Sequence, residues 1–338
     1  MNNIVFKSIL APYFASFIEE KESLGYKAEQ IKWILREFDC FFYEYPLNDV
    51  HIKKDHIIEW RDTRVNDKAG TIYHKYSVIS QFCRYMCRLG YECFVPRLPK
   101  KYATDFIPCI FSQEQMAVIF KACDNLRMKE HHSESALIVL PALIRLLYST
   151  GIRISEALSI LNGDVDFDRH AIVLNQTKNG SQRLAPINHS MEAVLKQYIE
   201  YRNRIPIAGV EKTDSHLFVS PVGRSCARNT ILNWFHQILK VAGIHYVGNQ
   251  HGPRLHDIRH TAAVHSLYKL EAEGMDLYCC LPILATFMGH KKVLDTEHYI
   301  RLTQKMYPDI IRQDSSITAG IYSVITKVKL ETGYGNNY

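Results

Sequence analysis

Apolar side chains recur at helical spacing along the N-terminal part of the chain. Pro12 suits the first turn of a helix and Gly25 its end, with Tyr13, Phe17 and Ile18 spaced along one face between them. A second helix is predicted from Ala28 to Tyr43, with Ile31, Leu35, Phe38 and Phe42 as its stripe. A third covers Asp55 to Arg64. A fourth has Thr71 as its N-cap, Gly90 past its end, and a stripe of Ile72, Tyr76, Ile79, Phe82 and Met86. Stripes this regular are core faces, so the pattern predicts a small helical bundle.

The periodicity fails from Phe94 to Ile110. Pro96, Pro99 and Pro108 alternate there with Arg97, Lys100 and Lys101, a composition suited to an extended basic linker. Ser112 to Gln115 then matches a capping box and opens a new helix. A boundary near residue 105 is predicted, dividing the chain into domains 1–104 and 105–338. Ala136 to Ile160 is apolar and helical but broken at Ser149-Thr150-Gly151. Two strand-like runs, Ala171–Leu174 and Arg183–Ile187, flank Thr177-Lys178-Asn179-Gly180, and Asn-Gly predicts a hairpin turn that displays Lys178. Helices follow from Ser190 to Arg204 and from Ala227 to Ala242. Ile317, Ile321, Val324 and Val328 mark an amphipathic tail helix over about 314–330. The expected class is mainly α with a small antiparallel β-sheet.

Length agrees with two domains, since 338 residues exceed what one compact core usually holds. A net charge of +6 tilts toward a polyanionic partner without establishing one. Nine cysteines, an odd number with no C-x-x-C pair, point to reduced thiols rather than to a zinc site or disulfides. No signal-peptide pattern opens the chain, and Ala136 to Tyr148 is interrupted by Pro141 and Arg145. A cytoplasmic protein without a membrane partner is expected. In the bundle, Tyr73-His74-Lys75-Tyr76 and Arg84 to Arg88 interleave bases with aromatics. Such a face is either solvated or laid against a DNA backbone. Lys75, Arg84, Arg97, Lys100, Lys101 and Arg224 are the candidate DNA contacts.

Six residues invite a chemical reading: Arg153, Lys178, His256, Arg259, His290 and Tyr299. Each has a plain one. Arg153 can simply pair with Glu156 one turn on, and a hairpin lysine usually only solubilises. Together they match what attack on a phosphodiester needs. Two arginines can bridge the phosphate oxygens, one histidine can take a phenol proton, and another can donate to the phosphate. A lysine can protonate the leaving oxygen, and a tyrosine can form the covalent link. No metal or other cofactor is required.

In these motifs the chain resembles the tyrosine recombinases, or phage-type integrases. Thr150 to Glu156 matches T-G-x-R-x-S-E, and Lys178 stands in a hairpin as the family lysine does. His256 to Thr261 matches H-x-L-R-H-[ST], with Ile258 for leucine. Met288-Gly289-His290 and Tyr299 keep the family spacing, and Thr296 fits T-x-x-Y. There are departures. Leu255 replaces a common proline, and Ala262 a usual phenylalanine. Ser181 and Gln182 stand where a second lysine is frequent. The stretch from Arg259 to His290 is longer, with Lys269 to Gly274 as extra turn and loop, which points to a mobile-element enzyme.

The resemblance implies a SAM-like helical core-binding domain followed by a catalytic domain of the DNA breaking–rejoining fold. It implies cleavage by Tyr299 through a 3′-phosphotyrosyl link, with Arg153, Arg259 and His290 on the phosphate. His256 would be the base and Lys178 the acid, with Glu156 and His260 as supports behind them. The implied partner is double-stranded DNA carrying recombination sites, bound by a homotetramer formed from free monomers, with partner recombinases or accessory factors possible. Two other readings are a type IB topoisomerase-like nicking–closing enzyme and a non-catalytic DNA-binding relative.

Overall fold

The computed structural model describes residues 5–26, 28–101, 107–127, 136–175, 180, 182–248 and 252–307. The chain divides into two compact units, Met1–Asp105 and Phe106–Tyr338. Among the described residues the first holds four helices: α1 (Ala11–Ser23), α2 (Glu29–Glu44), α3 (Lys54–Asp62) and α4 (Ala69–Arg88). Their inward stripes meet in an aromatic core. The rings of Phe14 and Phe82 lie 4.6 Å apart, and those of Phe38 and Trp60 5.2 Å, tilted or edge-on as aromatic quadrupoles prefer. Buried Asp39 on α2 accepts the backbone N–H groups of Lys7 at 2.8 Å and Ser8 at 2.9 Å, fixing the chain as it enters α1.

Helix α4 starts two residues before Thr71, with Lys68 in the N-cap position. This earlier start belongs with a correction on the same helix. Lys75 is buried, not laid out for DNA: its ammonium lies 2.6 Å from carboxylate oxygens of both Glu37 and Asp67. A buried lysine needs such partners, and these tie α4 to α2 and to the loop before α4. Arg84 on the same helix is exposed, as are Arg97, Lys100 and Lys101 beyond it.

In the second unit the Ser112 capping box forms as expected: its hydroxyl accepts the Gln115 N–H at 3.2 Å and opens α5 (Gln113–Asn125). A 3-10 turn (Leu137–Val139) leads into α6 (Leu140–Thr150), which ends at Gly151 with φ +59°. The short α7 (Ile154–Leu158) follows. The sheet is antiparallel in the order β1 (Val165–Asp166), β2 (Ala171–Leu174), β3 (Arg183–Pro186), and Ile172 pairs with Ala185. The two-residue β1 was not foreseen. Lys178 and the expected tail helix lie outside the described residues.

Helices α8 (His189–Asn203) and α9 (Arg228–Val241) complete one core. A second core gathers α10 (Asp257–Ala272), α11 (Leu277–Met288) and α12 (Leu294–Met306). The longer stretch after Arg259 is the last turn of α10, a reversal at Gly274 with φ +88°, and the Asp276 cap of α11. Helix α10 packs against α6, α11 and α12, so its first turn meets the ends of its neighbours. Among the described residues no helix is long and apolar enough to cross a membrane.

Replacing Lys75 with alanine takes the buried cation from Asp67 and leaves Glu37 to Arg64 at 3.2 Å. The expected result is a loss of about 1–3 kcal/mol in urea unfolding, with unchanged affinity for duplex DNA. Weakened DNA binding at unchanged stability would return Lys75 to the DNA-contact set.

Candidate active site

The site forms where helix ends converge on the start of α10. Gly151 turns the chain at the end of α6, and a Cβ there would strike the Met288 sulfur. Arg153 follows in extended conformation as the N-cap of α7. Its amide donates to Glu156 Oε2 at 2.8 Å and its Nη1 to Oε1 at 2.8 Å. Glu156 also accepts Nη2 of Arg183, from β3, at 2.9 Å. Burial works to raise the Glu156 carboxyl, but the Arg153 amide and the two guanidinium charges outweigh it and hold it below the usual range.

Arg259 is buried in the first turn of α10. It donates to the carbonyls of Gly151 at 2.5 Å and Met288 at 2.7 Å, and reaches His290 Nε2 at 3.1 Å. Both carbonyls belong to helix ends, which leave such groups unsatisfied and slightly negative. One guanidinium therefore caps α6 and α11 together. Burial, then the nearby Arg153, lowers its pKa to about 10.

A guanidinium only donates, so Nε2 of His290 accepts and the proton sits on Nδ1, which donates to Thr296 Oγ1 at 2.8 Å. Burial, then Arg259 and Arg153, pushes His290 down to about 4. Tyr299, on α12, is buried with its ring nearly parallel to that of His290, 6.3 Å away. Its hydroxyl lies 3.0 Å from His260 Nδ1. Burial raises the phenol pKa and Arg259 opposes the rise. His260 is pushed down to about 3 by burial, then by His256 and His298. His256, the residue before α10, meets the His260 ring edge-on at 4.9 Å. One face of it is open to solvent, yet the protein around it, then Arg259, Arg254 and Arg153, brings it to about 4.

Arg153, Glu156, His256, Arg259, His260, His290 and Tyr299 thus come together. The group touching the phenol is His260, expected only as a support. Arg183 and His298 were not foreseen. Arg183 follows the hairpin and reads as one more surface base, while the His298 ring, 4.0 Å from that of Tyr299, carries no motif of its own. Arg224 is exposed in a turn before α9. Among the described residues, His170, His189 and Glu192 bring three potential metal ligands within 4.8 Å. Both Glu192 oxygens are already engaged, one by Lys196 and the other by His170 at 2.8 Å, so an ion-pair cluster explains the group.

Residues 110–306 match the pattern that defines the phage integrase family. A putative integrase/recombinase, y4rB, of Sinorhizobium fredii is 26% identical over 304 residues, covering 88% of this chain and 94% of the relative. The tyrosine recombinase XerC of Chlamydia caviae is 27% identical over 248 residues, 71% of this chain and 70% of that protein. The fold is similar to that of the XerH site-specific recombinase bound to difH substrate, with TM-score 0.63, 17% identity, and 87% and 83% of the two chains covered. It is also similar to the Tn1549 transposon integrase in complex with transposon right end DNA, with TM-score 0.62, 16% identity, and coverage of 91% and 98%.

The buried imidazoles carry a pH prediction. His260 and His290 bind protons more weakly in the folded chain than their ordinary value of 6.5. Between that value and about 4 the unfolded chain therefore holds more protons, and stability is lost as pH falls. The melting temperature should drop steadily from pH 7 to pH 5, and replacing both histidines with glutamine should flatten the decline. Part of the slope stays with His256, also brought to about 4; a slope not reduced at all by the double substitution would assign it elsewhere.

Proposed function

Because the chain belongs to the phage integrase family, we infer that it is a tyrosine-type site-specific DNA recombinase that cuts and rejoins DNA through a 3′-phosphotyrosyl intermediate. The observation that carries this reading is the meeting of Arg259, His290, His260 and Tyr299 within bonding distance in one buried cluster. The Tyr299 oxygen attacks the scissile phosphorus, and the 5′ oxygen of the next nucleotide departs as a hydroxyl. A 5′ hydroxyl from a partner duplex then attacks the phosphotyrosyl bond and frees the phenol. The bond count is unchanged, so no external energy source is needed.

Arg153 and Arg259 neutralise the phosphate, and His290 joins them through its Nε2 edge. Lys178 protonates the leaving oxygen. Arg84, Arg97, Lys100, Lys101 and Arg224 supply backbone contacts whose strength falls with salt. Double-stranded recombination sites are the substrate, and four protomers join two duplexes. Relaxation of a supercoiled plasmid without strand exchange on any site would favour the nicking–closing alternative.

Two outcomes are expected on duplexes selected for binding from a random-sequence library. Tyr299→Phe should assemble four protomers on paired duplexes, by light scattering, yet trap no covalent adduct on denaturing gels. A persistent adduct would exclude Tyr299 as the nucleophile. The base is separable as well. His256 is assigned the proton, but the contact at 3.0 Å favours His260. If His260 is the base, His260→Ala should slow cleavage on the order of 100-fold or more and His256→Ala markedly less. The reverse order restores the first assignment.

A further inference from the structure

We propose that Arg183 is a positioning residue of the strand-transfer site, acting through Glu156 and the C-terminal turn of α11. The proposal rests on the recombinase reading above. Arg183 stands outside the six residues assigned to the reaction, yet its side chain bridges two of the segments that carry them, the start of α7 and the end of α11. Nη2 donates to Glu156, the acid that also holds the amide and Nη1 of Arg153. Nη1 donates to the Phe287 carbonyl at 3.0 Å, in the last turn of α11. The stem lies against Gly289 so closely that a Cβ there would strike Nε and Cδ. His290 is the next residue. One arginine on β3 thus fixes both the acid that aims Arg153 and the turn that presents His290.

Two features separate this arrangement from an ordinary ion pair. Nε of Arg183 is buried against Gly289 with no hydrogen-bond partner among the described residues. Such a group is costly and is kept only where the surroundings dictate it. The second feature is charge. Glu156 is fully buried and shared by two guanidinium groups. Without Arg183 it would cancel Arg153, and the phosphate would meet one uncompensated arginine instead of two. The position of Gly289 acquires a second reason beyond its φ of +66°: only a residue without Cβ leaves room for this arginine.

Single-turnover cleavage by the full chain, on duplexes selected as above, tests the assignment. Arg183→Ala should bind DNA within about threefold of the parent but form the covalent adduct on the order of 100-fold more slowly. Arg183→Lys, which restores charge without the fork, should recover part of the rate. Gly289→Ala should slow adduct formation as well, since a Cβ there strikes the arginine as well as straining the turn. The defect should persist on a substrate with a bridging sulfur leaving group, because Arg183 serves the phosphate clamp.

Adduct formation within threefold of the parent by Arg183→Ala would overturn the proposal. So would rescue by the sulfur substrate, or a loss that disappears below the variant's melting transition. Failure of the parent chain itself to form any adduct would instead strike at the recombinase reading.

Discussion

A buried cation holds this active site together. Arg259 has no carboxylate of its own; it is satisfied by the carbonyl ends of two helices and by one imidazole. Helix ends make good partners for a buried guanidinium because their partial charges are fixed in space and need no counter-proton. The consequence is architectural. α6 must stop at Gly151 and α11 at Gly289, both in left-handed conformation, for their carbonyls to reach one side chain. The segments that leave those two ends carry Arg153 and His290. The positions of three reacting groups therefore follow from one capping interaction.

Burial is the first cause of the state of the histidines, and the neighbouring arginines and imidazoles add to it, so a proton on any of them is disfavoured. Neutral imidazoles can accept protons, which suits a phenol that must lose one. A phenol raised by burial is a poor nucleophile alone. On the reading proposed above, the neutral imidazole of His260 would receive the proton that the phenol gives up.

Much of this was legible in the chain because the signals were local. The stripe of Ile79, Phe82 and Met86, the Ser112 box and the paired strands β2 and β3 each follow from neighbours in sequence. The glycine at 151 and the box from His256 to Thr261 pointed through spacing to residues that the fold brings together. What escaped depended on partners far along the chain. Lys75 sits between aromatics just as a DNA-facing base would, and only the approach of Glu37, 38 residues away, reveals an internal ion pair. Arg183 and Phe287 are 104 residues apart, and nothing near either announces the other. The choice between His256 and His260 turns on which ring α12 brings its phenol against, a packing outcome with no sequence period behind it.

His290 faces Arg259 with a lone pair and Thr296 with a proton. On the recombinase reading proposed above, a phosphate oxygen that reaches Arg259 would compete for the place that the imidazole holds, so that the ring acts as a placeholder for the anion. Once displaced, the ring would lose its donor and have to become one at Nε2, by gaining a proton there or shifting its tautomer. Filling of the clamp and readiness of the histidine would then be a single event.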